Sequence, residues 1–324
     1  MQIATYDVFA GKPYCGNQAA VVRIGKGRLS DRQLVALAEE LSLAETASLR
    51  VQNRELIFRF ATTDRIISRC GHATLAGAAD HIFTTLLPRR SGRYEWSGRY
   101  RVGTCAAEWR ARLTAGRRRR HNTNGLEVAV AWPDLPTFAT ALPPGPMYRA
   151  VGLDSTDSAT ELPLCVYNSG NFNALVPVRT VAALERAAPN LARLKDFFKK
   201  FRLPNKSSLT DVHLYCVQRR SNRSREILLR CRNVFPYGLL EETATGTAYV
   251  AAAAALANHL PALQGGNRVA DFHFDQGKGK RRGKIRVHWR PRPGEMPEIW
   301  LEGRVFPIIR GEFVSLPFNI TATA

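Results

Sequence analysis

Acidic side chains are the scarce class in this chain: 27 Asp and Glu stand against 47 Lys and Arg over 324 residues, for a formal net charge of +20. The surplus sets up a positive surface field that attracts anions, and it carries no information about fold. Cysteine pairs at CxxC spacing are missing. Cys15, Cys70, Cys105, Cys165, Cys216 and Cys231 are scattered, which excludes a zinc knuckle or a CxxC redox motif and reads as reduced thiols. The longest apolar stretch, Tyr249 to Ala257, falls well short of the roughly 20 residues a membrane helix needs. The first residues lack a basic segment followed by an apolar one, so a cytoplasmic protein without membrane contact is expected. A glycine-rich phosphate loop, a dinucleotide fingerprint and metal-ligand spacing are also lacking, so neither cofactor nor metal is expected.

What is present is an ordinary globular composition, with 45% apolar residues, 18 prolines and 24 glycines. This length suggests two lobes. In the first half, strands are expected at Ile3 to Phe9, Ala19 to Ile24, Thr46 to Val51 and Leu56 to Thr62, with Ser30 and Gln33 forming a capping box for a helix through Leu34, Leu37, Ala38 and Leu41. Cys70 to Ala79 is a run of small residues around a glycine turn, which predicts a buried helix. Further strands are expected at about Tyr94 to Val102, Ala106 to Leu113 and Leu126 to Ala131. The proline-rich Trp132 to Pro146 reads as a linker, giving lobes of 1–135 and 136–324.

The second half repeats that order. Strands are expected at Leu164 to Asn168, Asn173 to Val178, Asp211 to Val217 and Glu226 to Val234, with helices at Val181 to Arg186 and Leu191 to Phe201. A second small-residue helix, Ala248 to Leu260, follows, and then strands near Arg268 to Phe274, Lys284 to Trp289, Glu298 to Leu301 and Arg304 to Ile308. Placing Cys70-Gly71-His72-Ala73 over Thr245-Gly246-Thr247-Ala248 aligns the two buried helices. Each helix start offers unpaired N–H groups and about half a positive charge, so the pair could hold a carboxylate-bearing metabolite in a cleft between the lobes. Close-packed core is the plainer explanation of each helix taken alone.

Four segments carry a family resemblance: Asp7-Val8-Phe9 with Gly16-Asn17, Leu43-Ala44-Glu45-Thr46-Ala47, Cys70-Gly71-His72-Ala73-Thr74-Leu75, and Glu241-Glu242-Thr243-Ala244-Thr245-Gly246-Thr247-Ala248. In that order they resemble the signatures of the PhzF-like (phenazine-biosynthesis) isomerases. Ser169-Gly170, Leu175 to Val178, Gln276-Gly277 and Gly303 through Glu312 extend the resemblance over nearly the whole chain. It implies the diaminopimelate-epimerase fold: an α+β chain of two pseudo-symmetric lobes, each a mostly antiparallel sheet wrapped around a central helix.

The resemblance also implies a cofactor-independent proton shift on a small amino or cyclic carboxylic acid. Glu45 is the implied acid and base, and a carboxyl in a dry cleft suits both roles because burial raises its pKa toward neutrality. On its own terms Glu45 is a lone acid among apolar neighbours, and it could equally be a turn carboxylate. His72 is the second catalytic candidate, able to donate to a substrate carboxylate or a developing enolate, or else a structural histidine. Glu242 completes the catalytic set. Asn17, Gly71, Gly246 and Thr247 are the substrate-binding candidates, with helix capping the other reading of Thr247. Cys70 is read as structural.

Glu242, Thr243 and Thr247 stand where the family has Asp, Pro and Ser, and Gln18 replaces a proline. The group chemistry is kept, while the added methylene of Glu242 displaces its acid by about an ångström or more, enough to change a proton-transfer geometry. Arg117 to Arg120, Arg219 to Arg225 and Lys278 to Lys284 read as solvated tips between strands. Phe197 and Phe198 beside Lys199 and Lys200 fit an amphipathic helix better than a nucleic-acid surface, so no specific nucleic-acid partner is expected. A homodimer is the assembly the family implies. Two other functions stay open: a racemase or epimerase of the same fold, for which Thr245 stands where the second thiol is needed, and a non-catalytic binding protein.

Overall fold

The computed structural model describes residues 1–25, 27–86, 92–115, 125–203, 207–221, 225–237, 241–260, 269–279, 281–292 and 294–314. Arg117 to Arg120, Arg223 and Lys280 lie outside them. The chain forms two units. Where the sequence reading cuts it once, after residue 135, the fold cuts it twice: Met1–Pro133 joins with Glu302 onward, and Asp134–Leu301 stands by itself.

The first unit contains β1 (Gln2–Val8), β2 (Asn17–Arg23), α1 (Asp31–Leu41), β3 (Thr46–Gln52), β4 (Glu55–Ala61), the two-residue β5 (Ile66–Ile67), α2 (Gly71–His81), β6 (Gly92–Val102), β7 (Cys105–Ala115) and β8 (Leu126–Ala131). The capping box forms as expected: the Ser30 hydroxyl accepts from the Gln33 N–H and the Gln33 side chain accepts from the Ser30 N–H. The pairing alternates: β1 with β2 is antiparallel, β2 with β3 parallel, β3 with β4 antiparallel, β4 with β6 parallel, and β6 with β7 and β7 with β8 antiparallel.

The second unit contains β9 (Thr137–Ala141), α3 (Pro144–Ala150), β10 (Cys165–Asn168), β11 (Phe172–Pro177), α4 (Val181–Arg186), α5 (Leu191–Lys200), β12 (Asp211–Arg220), β13 (Glu226–Val234), the two-residue β14 (Glu241–Glu242), α6 (Gly246–His259), β15 (Ala270–Gln276) and β16 (Gly283–Arg290). Its alternation is the same: β10 with β11 antiparallel, β11 with β12 parallel, β12 with β13 antiparallel, β13 with β15 parallel, β15 with β16 antiparallel. α2 follows β5 as α6 follows β14. The repeat expected from the two small-residue helices is thus a repeat of the whole sheet order.

Two expectations change. The strands expected at Glu298 to Leu301 and Arg304 to Ile308 are one strand, β17 (Glu298–Glu312), because Gly303 has no side chain and lies against the Phe9 ring without interrupting the ladder. From Val305 to Glu312 this strand pairs antiparallel with β1, which is why the C-terminal residues return to the first unit. The expected linker holds β9 and α3. Its prolines flank the strand residues Thr137-Phe138-Ala139-Thr140-Ala141 and fall outside their ladder, where a missing N–H does no harm.

Both central helices are buried on all sides, α2 from Gly71 to Asp80 and α6 from Gly246 to Ala257. Small side chains let strands approach on every face. The one carboxylate within α2, Asp80, accepts from the Tyr6 hydroxyl at 2.8 Å and from Arg23 at 2.5 Å. At Gly77 an added Cβ would lie 2.2 Å from the ring of Phe58, itself buried. Gly77→Val should therefore lower stability by about 1–3 kcal/mol through overpacking, read as a lower denaturation midpoint at unchanged denaturant slope. An unchanged midpoint would mean that the ring moves aside freely.

Candidate active site

In the first unit the turn at the end of α1 delivers Glu45. Ser42 takes the left-handed conformation with φ 50°, ending the helix, and three residues later the Glu45 carbonyl accepts from Ala20 N–H at 3.3 Å, where β3 begins to pair with β2. Cys70 is the N-cap of α2 and contributes no side-chain cap. The first-turn N–H groups of α2 therefore have no hydroxyl or carboxylate from their own cap. His72 follows within that turn.

These residues converge. His72 Nε2 lies 3.1 Å from Glu45 Oε2, with the imidazole 4% exposed and the carboxylate side chain 19% exposed. Cys70 Sγ lies 3.5 Å from His72 Nδ1. Glu45 Oε2 is shielded from solvent yet has no aligned hydrogen-bond donor, so the contact with His72 is a close ion pair rather than a linear hydrogen bond. Burial alone would lower the pKa of His72; the neighbouring Cys70 and Glu45 outweigh it and hold the imidazole well above its ordinary value of 6.5. Burial pushes the Cys70 thiol up. The three side chains are thus electrostatically coupled, with His72 pushed toward its charged form and Cys70 toward its neutral one.

Asn17 opens β2 and is buried. Gly16 before it has φ +69°, and a Cβ there would lie 2.2 Å from the Val8 carbonyl oxygen, so only glycine permits the turn that presents Asn17. A cavity of about 570 Å³ in this unit reaches Gly71 and Thr74 together with Arg50, Arg59, Arg69 and Trp132, but neither Glu45 nor His72 lines it. The chemistry of the Glu45 group, not this cavity, marks the candidate site.

In the second unit Glu242 closes β14, and the Thr245 hydroxyl donates to its Oε2. Gln276 Nε2 donates to the Glu242 carbonyl at 2.8 Å and to Thr245 Oγ1 at 3.2 Å. The strand carrying Glu242 is fixed through Glu241, which pairs with the buried Arg232 guanidinium; Arg232 also donates to the carbonyls of Leu184 and Ala187 at 2.8 and 2.7 Å, at the end of α4. Gly246 and Thr247 form the first turn of α6, again without a side-chain cap, since Thr245 turns its hydroxyl to Glu242. Thr247 lies inside the helix and is not its N-cap, which removes that reading.

Below this turn runs a buried polar chain that no sequence motif announces. Ser169 Oγ lies 2.9 Å from the Thr247 carbonyl and 3.0 Å from Asn173 Oδ1. Asn173 Nδ2 donates to Asp211 at 2.9 Å, Asn233 Nδ2 donates to Asp211 at 3.2 Å, and Asn233 Oδ1 faces His213 Nδ1 at 3.0 Å. Desolvation pushes Asp211 up to about 6 and His213 down to about 4. Polar residues inside otherwise apolar strand runs were the available signal.

Residues 6–308 match the family described as "Phenazine biosynthesis-like protein" (PhzC-PhzF). Among curated relatives, an uncharacterized isomerase of Salmonella typhimurium is 26% identical over 197 residues, 60% of this chain and 61% of that protein. The match thus spans about three fifths of that relative's length. A PhzF-family protein of Bacillus anthracis superposes with a TM-score of 0.74 at 20% identity, covering 97% of this chain and 99% of that one. A hydroxyproline epimerase from Agrobacterium vitis, solved with trans-4-hydroxy-L-proline, gives 0.58 at 13% identity over 96% and 91%. At these identities the structural likeness is one of fold, and the fold is the two-lobed, epimerase-like one expected from the sequence. Among the described residues no helix is long and apolar enough to cross a membrane.

The pairing sets a measurable sign. With its partner carboxylate removed in Glu45→Gln, the His72 pKa should fall, because burial then acts with less opposition; the imidazole resonances in an NMR pH titration report it. In the wild type a raised folded-state pKa means that this group's contribution to stability is full below about pH 6.5 and is lost as pH rises through the folded value. A His72 titration identical in wild type and variant would show that Glu45 does not set its charge.

Proposed function

We propose that this chain, which belongs to the phenazine biosynthesis-like (PhzC-PhzF) family, is a cofactor-independent isomerase that moves a proton between two atoms of a small amino or cyclic carboxylic acid. The observation that carries the reading is the Glu45–His72 contact of 3.1 Å, between a buried imidazole and a half-buried carboxyl side chain. A carboxylate there can take a proton from carbon and return one to a second atom, and because the side chain is 19% exposed the held proton can exchange with solvent before it is returned. His72, charged beside Glu45, is the donor for the substrate's carboxylate or for the enolate charge that builds as the C–H bond breaks. When Glu45 takes up the proton, the imidazolium loses its counter-charge and draws more strongly on the substrate anion, so the pair stabilises the intermediate at the moment it forms.

The first turns of α2 and α6, whose N-cap side chains make no cap hydrogen bond, support Gly71, Gly246 and Thr247 as carboxylate-binding groups, since first-turn N–H groups and the helix dipole both favour an anion. Asn17 is proposed to orient the substrate. Glu242, with its carboxylate tied to the Thr245 hydroxyl, is proposed as the second acid of the reaction. That tie also counts against a two-base racemase, because the hydroxyl at the place of the second thiol is already committed to an acceptor. A cytoplasmic homodimer belongs to the same proposal.

The curated relative's designation as an isomerase supports the reaction class. The test is deuterium incorporation from heavy water into a panel of amino and cyclic carboxylic acids, followed by NMR or mass spectrometry. Glu45→Gln should slow the exchange by about 10²–10⁴-fold, the range of a lost general acid–base group. Exchange at the wild-type rate in the variant would remove Glu45 from the mechanism.

A further inference from the structure

Three ligand types that rarely meet without consequence, a thiol, an imidazole and a carboxylate, stand together at the start of α2. Cys70 Sγ, a ring nitrogen of His72 and a carboxylate oxygen of Glu45 all lie within 4.8 Å of one another. No short motif announces the group, because Glu45 comes from the turn before β3 and the other two from the helix start.

We propose that Glu45, Cys70 and His72 form a binding site for a borderline-soft divalent cation, Zn²⁺ by ligand chemistry, whose occupation shuts off the proton shuttle. Zinc takes sulfur at about 2.3 Å and nitrogen or oxygen at about 2.0–2.2 Å, so tetrahedral ligand atoms stand about 3.4–3.6 Å apart. Two of the spacings here, 4.0 Å from Cys70 Sγ to His72 Nε2 and 3.1 Å from that nitrogen to Glu45 Oε2, bracket those edges, the third lies within 4.8 Å, and side-chain rotations would close the difference. Three protein ligands leave a fourth position for water.

A second observation points the same way. Glu45 Oε2 is hidden from solvent without an aligned donor and is faced by His72 Nε2 at 3.1 Å, so a cation there would be ligated by both in place of their direct contact. The mixed sulfur, nitrogen and oxygen set disfavours Mg²⁺ and Ca²⁺, which take oxygen. Uptake sends two protons to solvent, the Cys70 thiol proton and the His72 Nε2 proton, and the freed Nε2 lone pair goes to the metal. The five other cysteines belong to no such group among the described residues.

Binding requires only the three side chains; its inhibitory consequence rests on the function proposed for Glu45. Titrating the purified full chain with Co²⁺ should give a near-ultraviolet thiolate-to-metal band that saturates at one equivalent and is displaced by Zn²⁺. The band should vanish in Cys70→Ser, and in Glu45→Gln, a change at the least buried of the three positions, affinity should fall at least about tenfold. No band in the wild type, a band that persists in Cys70→Ser, or unchanged affinity in Glu45→Gln would each overturn the site. If Cys70→Ser does not fold, the Glu45→Gln titration decides alone. One equivalent of Zn²⁺ should also stop deuterium exchange; metal bound with exchange continuing would leave the site standing and sink the role of Glu45 in catalysis.

Discussion

A half-buried carboxyl side chain pressed against a buried imidazole is the constraint on which the first unit turns. Separating two charges from water carries a desolvation penalty that their attraction does not always repay, so a buried pair of this kind needs a scaffold that leaves neither partner elsewhere to go. Here the scaffold is the parallel joint between β2 and β3, which fixes Glu45 through its backbone, and a helix of small residues, which fixes His72 in its first turn. The same smallness that lets strands surround α2 leaves its start without a side-chain cap. Packing and chemistry therefore come from one sequence feature.

Much of that feature is legible without coordinates. The capping box at Ser30 and Gln33 and the bounds of Leu126–Ala131, Val181–Arg186 and Glu226–Val234 follow from local pattern alone. So do the two buried helices, since alanine and glycine runs bury on every face or not at all. What local pattern lacks is pairing. β9 hides between prolines because proline signals a break without saying on which side of it the ladder runs. β17 reads as two strands because Gly303 looks like punctuation, and only the ring of Phe9 lying against it explains the missing side chain. Phe197 and Phe198 illustrate the opposite case: Phe198 is buried in the second unit's core and Phe197 packs against it, as amphipathic spacing demands.

The candidate residues divide in the same way. Glu45 and His72 are identified through motifs, and their contact is a fact of the fold that neither motif contains. The family pattern makes Cys70 structural because there this cysteine is not the base; the fold adds His72 two residues on and Glu45 from a different element. Asp211 was invisible as a site. It sits at the first position of a strand, where a polar residue ordinarily reads as a boundary marker.

The two halves share a pairing order but not a chemistry. In the first, the helix start is surrounded by side chains that can carry protons or bind a cation. In the second, the corresponding turn is held from below through Ser169, Asn173, Asp211 and Asn233. Asp211 accepts from two neutral amides, and burial shifts its pKa to about 6. That is an expensive way to hold a helix turn if a leucine would serve, because amides offset only part of the desolvation of a carboxylate. A leucine, however, specifies contact without direction, whereas a chain of donors and acceptors fixes the orientation of each member. Directional control of the Thr247 carbonyl orients the peptide planes of the first turn of α6, and those planes aim its N–H groups. Under the function proposed above, one repeat moves the proton while the other holds backbone dipoles still, a division that a duplicated sheet permits because each helix start can vary without disturbing the pairing around it.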